Sequence, residues 1–276
     1  MGDDGNIQAR AEALTDPRRG TAAVLQSLQK IVTELVAAHP NVAGVGVACA
    51  GQIHAASGVV VEAPNLGWHD VPLAAELRSA VNVPVVVEND VRAAAWGEFT
   101  SGAGKGSDSL VALFIGTGVG SGAVLGGALW RGASNVAGEV GHTQVVPGGL
   151  PCGCGARGCL ERYVSGSGFQ QRYRENASAG DVHAAAQAGD ARAREVWEDA
   201  VRYLCVALAN YVTVVNPHVL VLGGGVIEAV PALFDAAAAG VPPLATRLAR
   251  EVLRIERARL GDWSGVVGMA HLVARG

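Results

Sequence analysis

The sequence predicts an α/β fold, and three features carry that expectation. Short apolar runs rich in β-branched residues alternate with stretches of helical periodicity. Several of those runs are apolar throughout, as strands are when both faces of a layered sheet are covered. Glycine clusters punctuate the strand ends. At 276 residues the chain sits where a single core stops growing, so one large domain and two lobes both fit.

From Thr21 to Ala38 the apolar residues Val24, Leu25, Leu28, Ile31, Val32, Leu35 and Val36 recur at helical spacing. His39-Pro40-Asn41 stops that helix, because proline lacks the amide donor and restricts its predecessor. Strands follow at Val42 to Ala48, Gly58 to Val61 and Val83 to Val87, with a helix from Leu73 to Ala80 before the last of them. Ser109 to Ile115 is a buried strand that breaks at Gly116-Thr117-Gly118-Val119-Gly120. It resumes as Ser121 to Leu125 and turns at Gly126-Gly127, a meander with glycine at each bend. A long helix spans Ala191 to Val215, ended by Asn216-Pro217. His218 to Leu222 is a further buried strand closed by Gly223-Gly224-Gly225, and Trp263 to Arg275 reads as a last helix. No internal repeat of about 20–50 residues emerges.

Half of the residues are hydrophobic, 17% are charged and 5% aromatic, with 38 glycines. These proportions exclude a disordered chain, a collagen-like repeat and a small disulfide scaffold. A net charge of -4 argues against a sequence-general nucleic-acid binder, which needs a basic face. The N-terminal MGDDGNIQAR carries no apolar signal core, and apolar stretches are broken by glycine, proline or charge before reaching about 18–20 residues. A soluble, cytoplasmic protein is expected.

Cys152, Cys154 and Cys159 crowd into eight positions, ten residues beyond His142, whereas Cys49 and Cys205 stand alone. Three thiolates and one imidazole make a closed tetrahedral set, the ligand count of a structural zinc site. Gly153, Gly155 and Gly158 let the backbone wrap tightly enough to aim several sulfurs at one ion. Buried cysteines beside an unrelated histidine are the alternative, and the scarcity of cysteine elsewhere favours the metal. With all four positions filled by protein, the ion orders a loop rather than activating water.

Gly116-Thr117-Gly118-Val119-Gly120-Ser121-Gly122 follows a buried strand directly, so backbone amides and a threonine hydroxyl there could approach phosphate oxygens. It is neither a Walker loop nor a dinucleotide fingerprint, and a glycine-rich hairpin turn is the commoner origin of such a string. Gly223-Gly224-Gly225 is either a strand-to-helix turn or a floor beneath a nucleotide. Glu88-Asn89-Asp90 ends the strand Val83–Val87, where ligand sites of open α/β sheets lie. Asp90 could accept a hydroxyl proton during phosphoryl transfer, or it could be the N-cap of the helix Val91–Phe99. Asn65, in Pro64-Asn65-Leu66-Gly67-Trp68, is equally open between ligand and turn residue. Glu139 stands three residues from His142; a carboxylate beside a fixed imidazole suits hydrogen bonds to sugar hydroxyls, or the two form a surface pair near the zinc loop.

GEVGH followed by CGCGARGCLE resembles the signature of the ROK family (repressor, open reading frame, kinase), and more narrowly its bacterial ATP-dependent glucokinases. PNLGW, VENDVRAAAWGE, FIGTGVGSGAVLGG and VNPHVLVLGGGV stand in the family's order, from about Asp4 to the C-terminus. The resemblance implies a two-lobed actin-like, ribonuclease-H-like fold closing over sugar and ATP. It divides the chain into a smaller lobe of residues 1–91 plus 264–276 and a larger lobe of 92–263 with the zinc loop at 142–159. It makes Asp90 the base for the sugar 6-hydroxyl. Asn65, Asn89, Glu139, His142 and Glu161 hold the other hydroxyls, with Gly51 offering backbone contact. Gly116, Thr117, Gly118 and Gly120 cradle the ATP phosphates, and Gly223 and Gly224 lie near the adenosine. Magnesium accompanies ATP, and the implied partners are the sugar, ATP and further copies of the chain in a homodimer or homotetramer.

Two departures from the family pattern stand out. Family kinases carry a first phosphate-binding element, Asp-x-Gly-Gly-Thr-Lys, before the position matching Asp4. Here Met1-Gly2-Asp3-Asp4-Gly5-Asn6 reads as the inside of the next hairpin turn. The expectation is a smaller lobe without its first strand, for which a start codon placed too late or a fragmentary sequence is a simpler origin than a natural deletion. Val91-Arg92 replaces the Ala-Asn of many relatives. The alternatives to a glucokinase are a catalytically impaired sugar-binding relative and a kinase of another hexose such as N-acetylmannosamine, allose or fructose. A zinc-ordered interaction module is a third, and it leaves Asn65, Asp90 and Glu139 as coincidences. A repressor is disfavoured, since neither a helix-turn-helix segment nor a basic patch is read here.

Overall fold

The computed structural model describes residues 1–2 and 6–274. The turn read at Asp3–Gly5 and the end of the tail helix at Arg275 lie outside them. Helix α1 (Thr21–Ala38) ends at His39, as the proline that follows requires. Strand β1 (Val45–Cys49) leads into three short antiparallel strands, β2 (Gln52–His54), β3 (Val59–Ala63) and β4 (Trp68–Val71). Helix α2 (Leu73–Ala80) then precedes β5 (Val85–Asn89), which lies parallel to β1 with Cys49 opposite Asn89. Among the described residues β5 is the one strand neighbour of β1. The apolar stripe of α1 (Val24, Leu25, Leu28, Val32, Val36) packs with Val47, Trp68, Leu73, Leu77 and Val87 into a core of its own.

Helix α3 (Asp90–Thr100) starts directly from β5. Strands β6 (Leu110–Ile115), β7 (Val119–Leu125) and β8 (Ala128–Leu129) form the expected meander, but β7 begins two residues before the expected Ser121. The short helices α4 (Glu161–Val164), α5 (Gly166–Arg172) and α6 (Ala179–Gln187) lead to α7 (Ala191–Val215), whose bounds match its apolar periodicity. Strand β9 (Val219–Gly223), helices α8 (Gly225–Ala229), α9 (Pro231–Leu244) and α10 (Arg247–Val252), strand β10 (Arg254–Arg257) and helix α11 (Ser264–Val273) complete the chain.

The five-stranded sheet runs β10-β9-β6-β7-β8, with β9 parallel to both of its neighbours. Alternation along β6 and β9 explains why both strands read as unbroken apolar runs. Val111, Leu113, Ile115, Leu220 and Leu222 face a core with Leu204, Leu208 and Val212 of α7. Leu110, Ala112, Val219 and Val221 face the other way, onto Ala95 and Trp96 of α3. Helix α3 thus connects the two sheet systems, and α11 packs along it and against β1. No helix among the described residues is long and apolar enough to cross a membrane.

Candidate active site

The elbow between β5 and α3 places two of the residues singled out above. Asn89, not Asp90, is the N-cap of α3. Its Oδ1 accepts the amides of Val91 at 3.1 Å and Arg92 at 3.0 Å, and its side-chain amide donates to the Gly51 carbonyl at 3.1 Å. The reading of Asp90 as the cap is therefore corrected. A β-region backbone at φ -61°, ψ 141° suits the residue before the helix, and Asn89 occupies it. Asp90 sits in the first turn, where its Oδ1 accepts the Val91 amide at 2.9 Å. Burial pushes its carboxyl above the usual range, partly offset by the Val91 amide, its own amide and the Arg92 charge. Cys49, opposite this elbow, is pushed up to about 11 by burial and by the Asp90 charge, so it stays a neutral thiol.

Gly51 turns the chain after β1 with φ 118°, and a Cβ there would lie 2.3 Å from the Glu62 carbonyl oxygen. That contact brings the end of β3 beside Gly51. Asn65, exposed on the helical turn Pro64–Leu66 that follows β3, is therefore carried toward the same place.

A second group gathers around the start of β7. Glu161 Oε2 accepts the Val119 amide at 2.9 Å. A Cβ on Gly118 would lie 2.6 Å from Glu161 Oε2, and one on Gly141 would lie 2.2 Å from the Val119 carbonyl oxygen. Gly141 stands between Glu139, which is exposed, and His142. On the opposite side, a Cβ on Gly120 would lie 2.5 Å from Val91 Cγ2. The first residues of β7 thus touch the segment bearing Glu139 and His142, the Glu161 side chain and the residue after Asp90. Gly120, read as part of a phosphate cradle, lies within β7 and lets that strand approach α3 closely.

Thr117 is exposed at the tip of the turn between β6 and β7. Gly116 and Thr117 are held from below: the Gly166 amide donates to the Gly116 carbonyl at 2.8 Å, and Ser167 Oγ donates to the Thr117 carbonyl at 2.8 Å. Gly224 adopts φ 88° beside Ile115, where a Cβ would meet the Ile115 carbonyl oxygen at 2.6 Å. Because Phe114 pairs with Gly223, the two glycine turns leave neighbouring parallel strands side by side at their carboxyl ends. That is where open α/β sheets bind ligands.

His142, Cys152, Cys154 and Cys159 come together as one cluster, their ligand atoms all within 4.8 Å of one another. His142 Nδ1 lies 3.7 Å from Cys152 Sγ, and Cys154 Sγ lies 3.7 Å from Cys159 Sγ. Tetrahedral zinc with Zn–S bonds of ~2.3 Å sets its sulfurs about 3.8 Å apart, so the donor set fits that ion. Burial and the hydrogen bonds and charges of Cys154 and Cys152 push the Cys159 thiol up to about 12. The Ala156 amide pulls Cys154 the other way. Backbone bonds shape the loop: Cys152 N donates to Ala156 O at 2.9 Å, and Gly158 N to Leu150 O at 2.8 Å.

Sequence reasoning missed Arg92 and Arg131, which pair with the Glu88 carboxylate directly before Asn89. A glutamate closing an otherwise apolar strand was the available signal, because a buried charge demands a partner.

Comparison with known proteins adds to this geometry. A model described as the ROK family matches residues 1–275. The glucokinase of Halalkalibacterium halodurans is 32% identical over 98% of this chain and 88% of its own. A ROK hexokinase from Thermus thermophilus superposes with a TM-score of 0.84 at 31% identity, over 95% of this chain and 91% of that one. A ROK family glucokinase from Streptomyces griseus, solved with glucose and AMPPNP, gives a TM-score of 0.81 at 30% identity, over 100% of this chain and 95% of that one.

Proposed function

We infer that this chain, which belongs to the ROK family, is an ATP-dependent hexose kinase acting on the 6-hydroxyl of glucose. The observation that carries the reading is the β5–α3 elbow. Asn89 takes over the helix cap, so the partly buried Asp90 carboxylate, raised above the ordinary range, is left for proton transfer. A base works best when its pKa approaches the working pH, and burial moves Asp90 in that direction.

In this reading the sugar O6 attacks the γ-phosphorus, its proton passes to Asp90, and the bond to the β-phosphate oxygen breaks to release ADP. Asn65, Asn89, Glu139, His142 and Glu161 hold the remaining hydroxyls, with a backbone contact at Gly51. The Gly116–Gly118 turn faces the phosphates, and Gly223 and Gly224 lie under the adenosine. Magnesium accompanies ATP and neutralises charge on the transferred group. Zinc on His142 and the three cysteines supplies rigidity. With Nδ1 turned toward Cys152, His142 keeps Nε2 for a sugar hydroxyl.

The lobes in this reading are residues 1–91 with 264–276, and residues 92–263. The separate cores beneath α7 and beneath α1 support that division. The protein works in the cytoplasm as a homodimer or homotetramer. Leu244, Leu248 and Val252, exposed at 55%, 67% and 48%, favour burial against another copy.

The test is hexose-dependent ADP formation across glucose, N-acetylmannosamine, allose and fructose, each with wild type and Asp90→Ala. Glucose-dependent turnover lost in the variant, with glucose binding kept, supports the reading. A higher kcat/KM for another hexose reassigns the substrate. Sugar binding without turnover in wild type leaves a sugar-binding relative instead.

A further inference from the structure

Strand β5 reads Val-Val-Val-Glu-Asn, and its Glu88 is only 2% exposed. Glu88 Oε1 accepts Arg92 Nε at 3.0 Å and the Asn89 amide at 2.9 Å. Its other oxygen accepts Arg131 Nε at 2.7 Å. Arg92 lies in the first turn of α3 and is itself 2% exposed. Arg131 comes from elsewhere, the loop between β8 and Glu139. The same loop makes a second crossing, where buried Asn135 donates its side-chain amide to the Ile53 carbonyl of β2 at 2.7 Å.

These contacts bridge the two halves of the site. The Trp130–Gly138 loop runs directly into Glu139 and His142, while Glu88 precedes Asn89 and Asp90. We propose that Arg131 is a positioning residue: its bond to Glu88 clasps the loop carrying Glu139 and His142 to the β5–α3 elbow, fixing the width of the hexose site. The proposal rests on the hexose-kinase reading of those four residues.

The energetics separate this role from a general structural one. Glu88 and Arg92 are buried together, so deleting Glu88 leaves the buried Arg92 guanidinium uncompensated. Arg131 is 37% exposed on its side chain, and without it Glu88 still has Arg92. The half-exposed Arg131 guanidinium keeps part of its hydration, so its removal should cost less global stability than removal of Glu88. What Arg131 adds is a short, charge-assisted bond between segments far apart in sequence, and such a bond constrains geometry. Misplacing substrate ligands by about 1 Å is enough to cost one to two decades in catalytic efficiency.

The test uses the full chain with Arg131→Gln and Arg131→Lys. In ligand-free protein, amide exchange at Asn89 and across 130–138 should accelerate about tenfold in Arg131→Gln, with β6 and β9 unchanged. The hexose KM should rise about tenfold while the KM for ATP stays within about twofold, and Arg131→Lys should recover most of the loss. Unchanged exchange overturns the clasp. A KM change shared by ATP, or a hexose KM that does not move, overturns the positioning role. A wild-type chain without hexose turnover would instead defeat the kinase reading, and the exchange result would still decide whether Arg131 holds the loop.

Discussion

The Asn89 side chain donates to the Gly51 carbonyl at 3.1 Å while its oxygen caps α3, so one residue fastens the turn after β1 to the start of that helix. The register explains how this is possible, since Cys49 and Asn89 are partners across the parallel pair β1–β5. Both strands end at the same level, and the two turns that leave them are adjacent. Asp90, one residue further on, inherits a fixed backbone from these bonds without its own side chain acting as the cap.

That arrangement makes the pH behaviour of Asp90 a direct test. Burial raises its folded pKa above the ordinary aspartate value, so between the unfolded and folded values the folded state binds more protons than the unfolded one. The Asp90 contribution to stability therefore falls as pH rises through that window. Asp90→Asn should melt higher than wild type at pH 7, and the gap should close below about pH 4. The same variant should lose about 10²–10⁴-fold in kcat. Thermal melts at a series of pH values check the first outcome. A variant that melts lower than wild type at pH 7 would show that the charged form is favoured in the fold.

Gly120 offers a second test, because packing and phosphate binding predict different rescues. Its missing side chain leaves room for Val91, whose Cγ2 would lie 2.5 Å from a new Cβ. Gly120→Ala should destabilise the protein by about 1–3 kcal/mol through overpacking. Adding Val91→Ala should restore most of that loss, measured by urea unfolding of the two single variants and the double. An undiminished penalty in the double variant would place the role of Gly120 outside the β7–α3 contact.

Much of the fold was legible because burial on both sides leaves unbroken apolar runs and long amphipathic helices leave a period. α7 and α1 were read to their observed bounds, and β6 within one residue. The strands β2 and β4 were missed, since QIH and WHDV carry polar residues and form a short meander with one buried face. The elbow was half legible. Asparagine and aspartate side by side both suit a cap, and only the backbone angles decide which occupies it. The Cys₃His set was the clearest local signal, because cysteine is scarce and the spacing is tight. The Arg131–Glu88 pair was invisible, as its partners are 43 residues apart and no local pattern joins them.

Glu98, on α3, is fully buried and accepts four donors: the amides of Ala103 at 2.9 Å, Arg259 at 3.0 Å and Leu260 at 2.9 Å, and Ser264 Oγ at 3.1 Å. It joins α3 to the turn that starts α11. Glu98→Gln keeps the shape but turns an N–H₂ group toward donors, leaving at least one amide unpaired. The expected cost is about 2–4 kcal/mol, read from urea unfolding. Activity per folded molecule should stay within about threefold, because Glu98 lies two turns from Asp90 along the helix. Unchanged stability would mean that these four donors find water in solution.

Metal removal tests the coupling between the cysteine loop and the site. Zinc should be present at one ion per chain by elemental analysis and should be lost in Cys154→Ser. The loop continues from Cys159 through Leu160 to Glu161, whose carboxylate holds the Val119 amide at 2.9 Å. His142, at the other end, belongs to the Cys₃His cluster and stands three residues from Glu139. Chelation should therefore loosen two of the proposed sugar ligands at once and raise the hexose KM by about 10–100-fold, the range seen when metal-site support is lost. The KM for ATP should change less, since Gly116 and Thr117 are held by Gly166 and Ser167 as well. Equal losses for both substrates would show that the metal supports the ATP residues as much as the proposed sugar ligands.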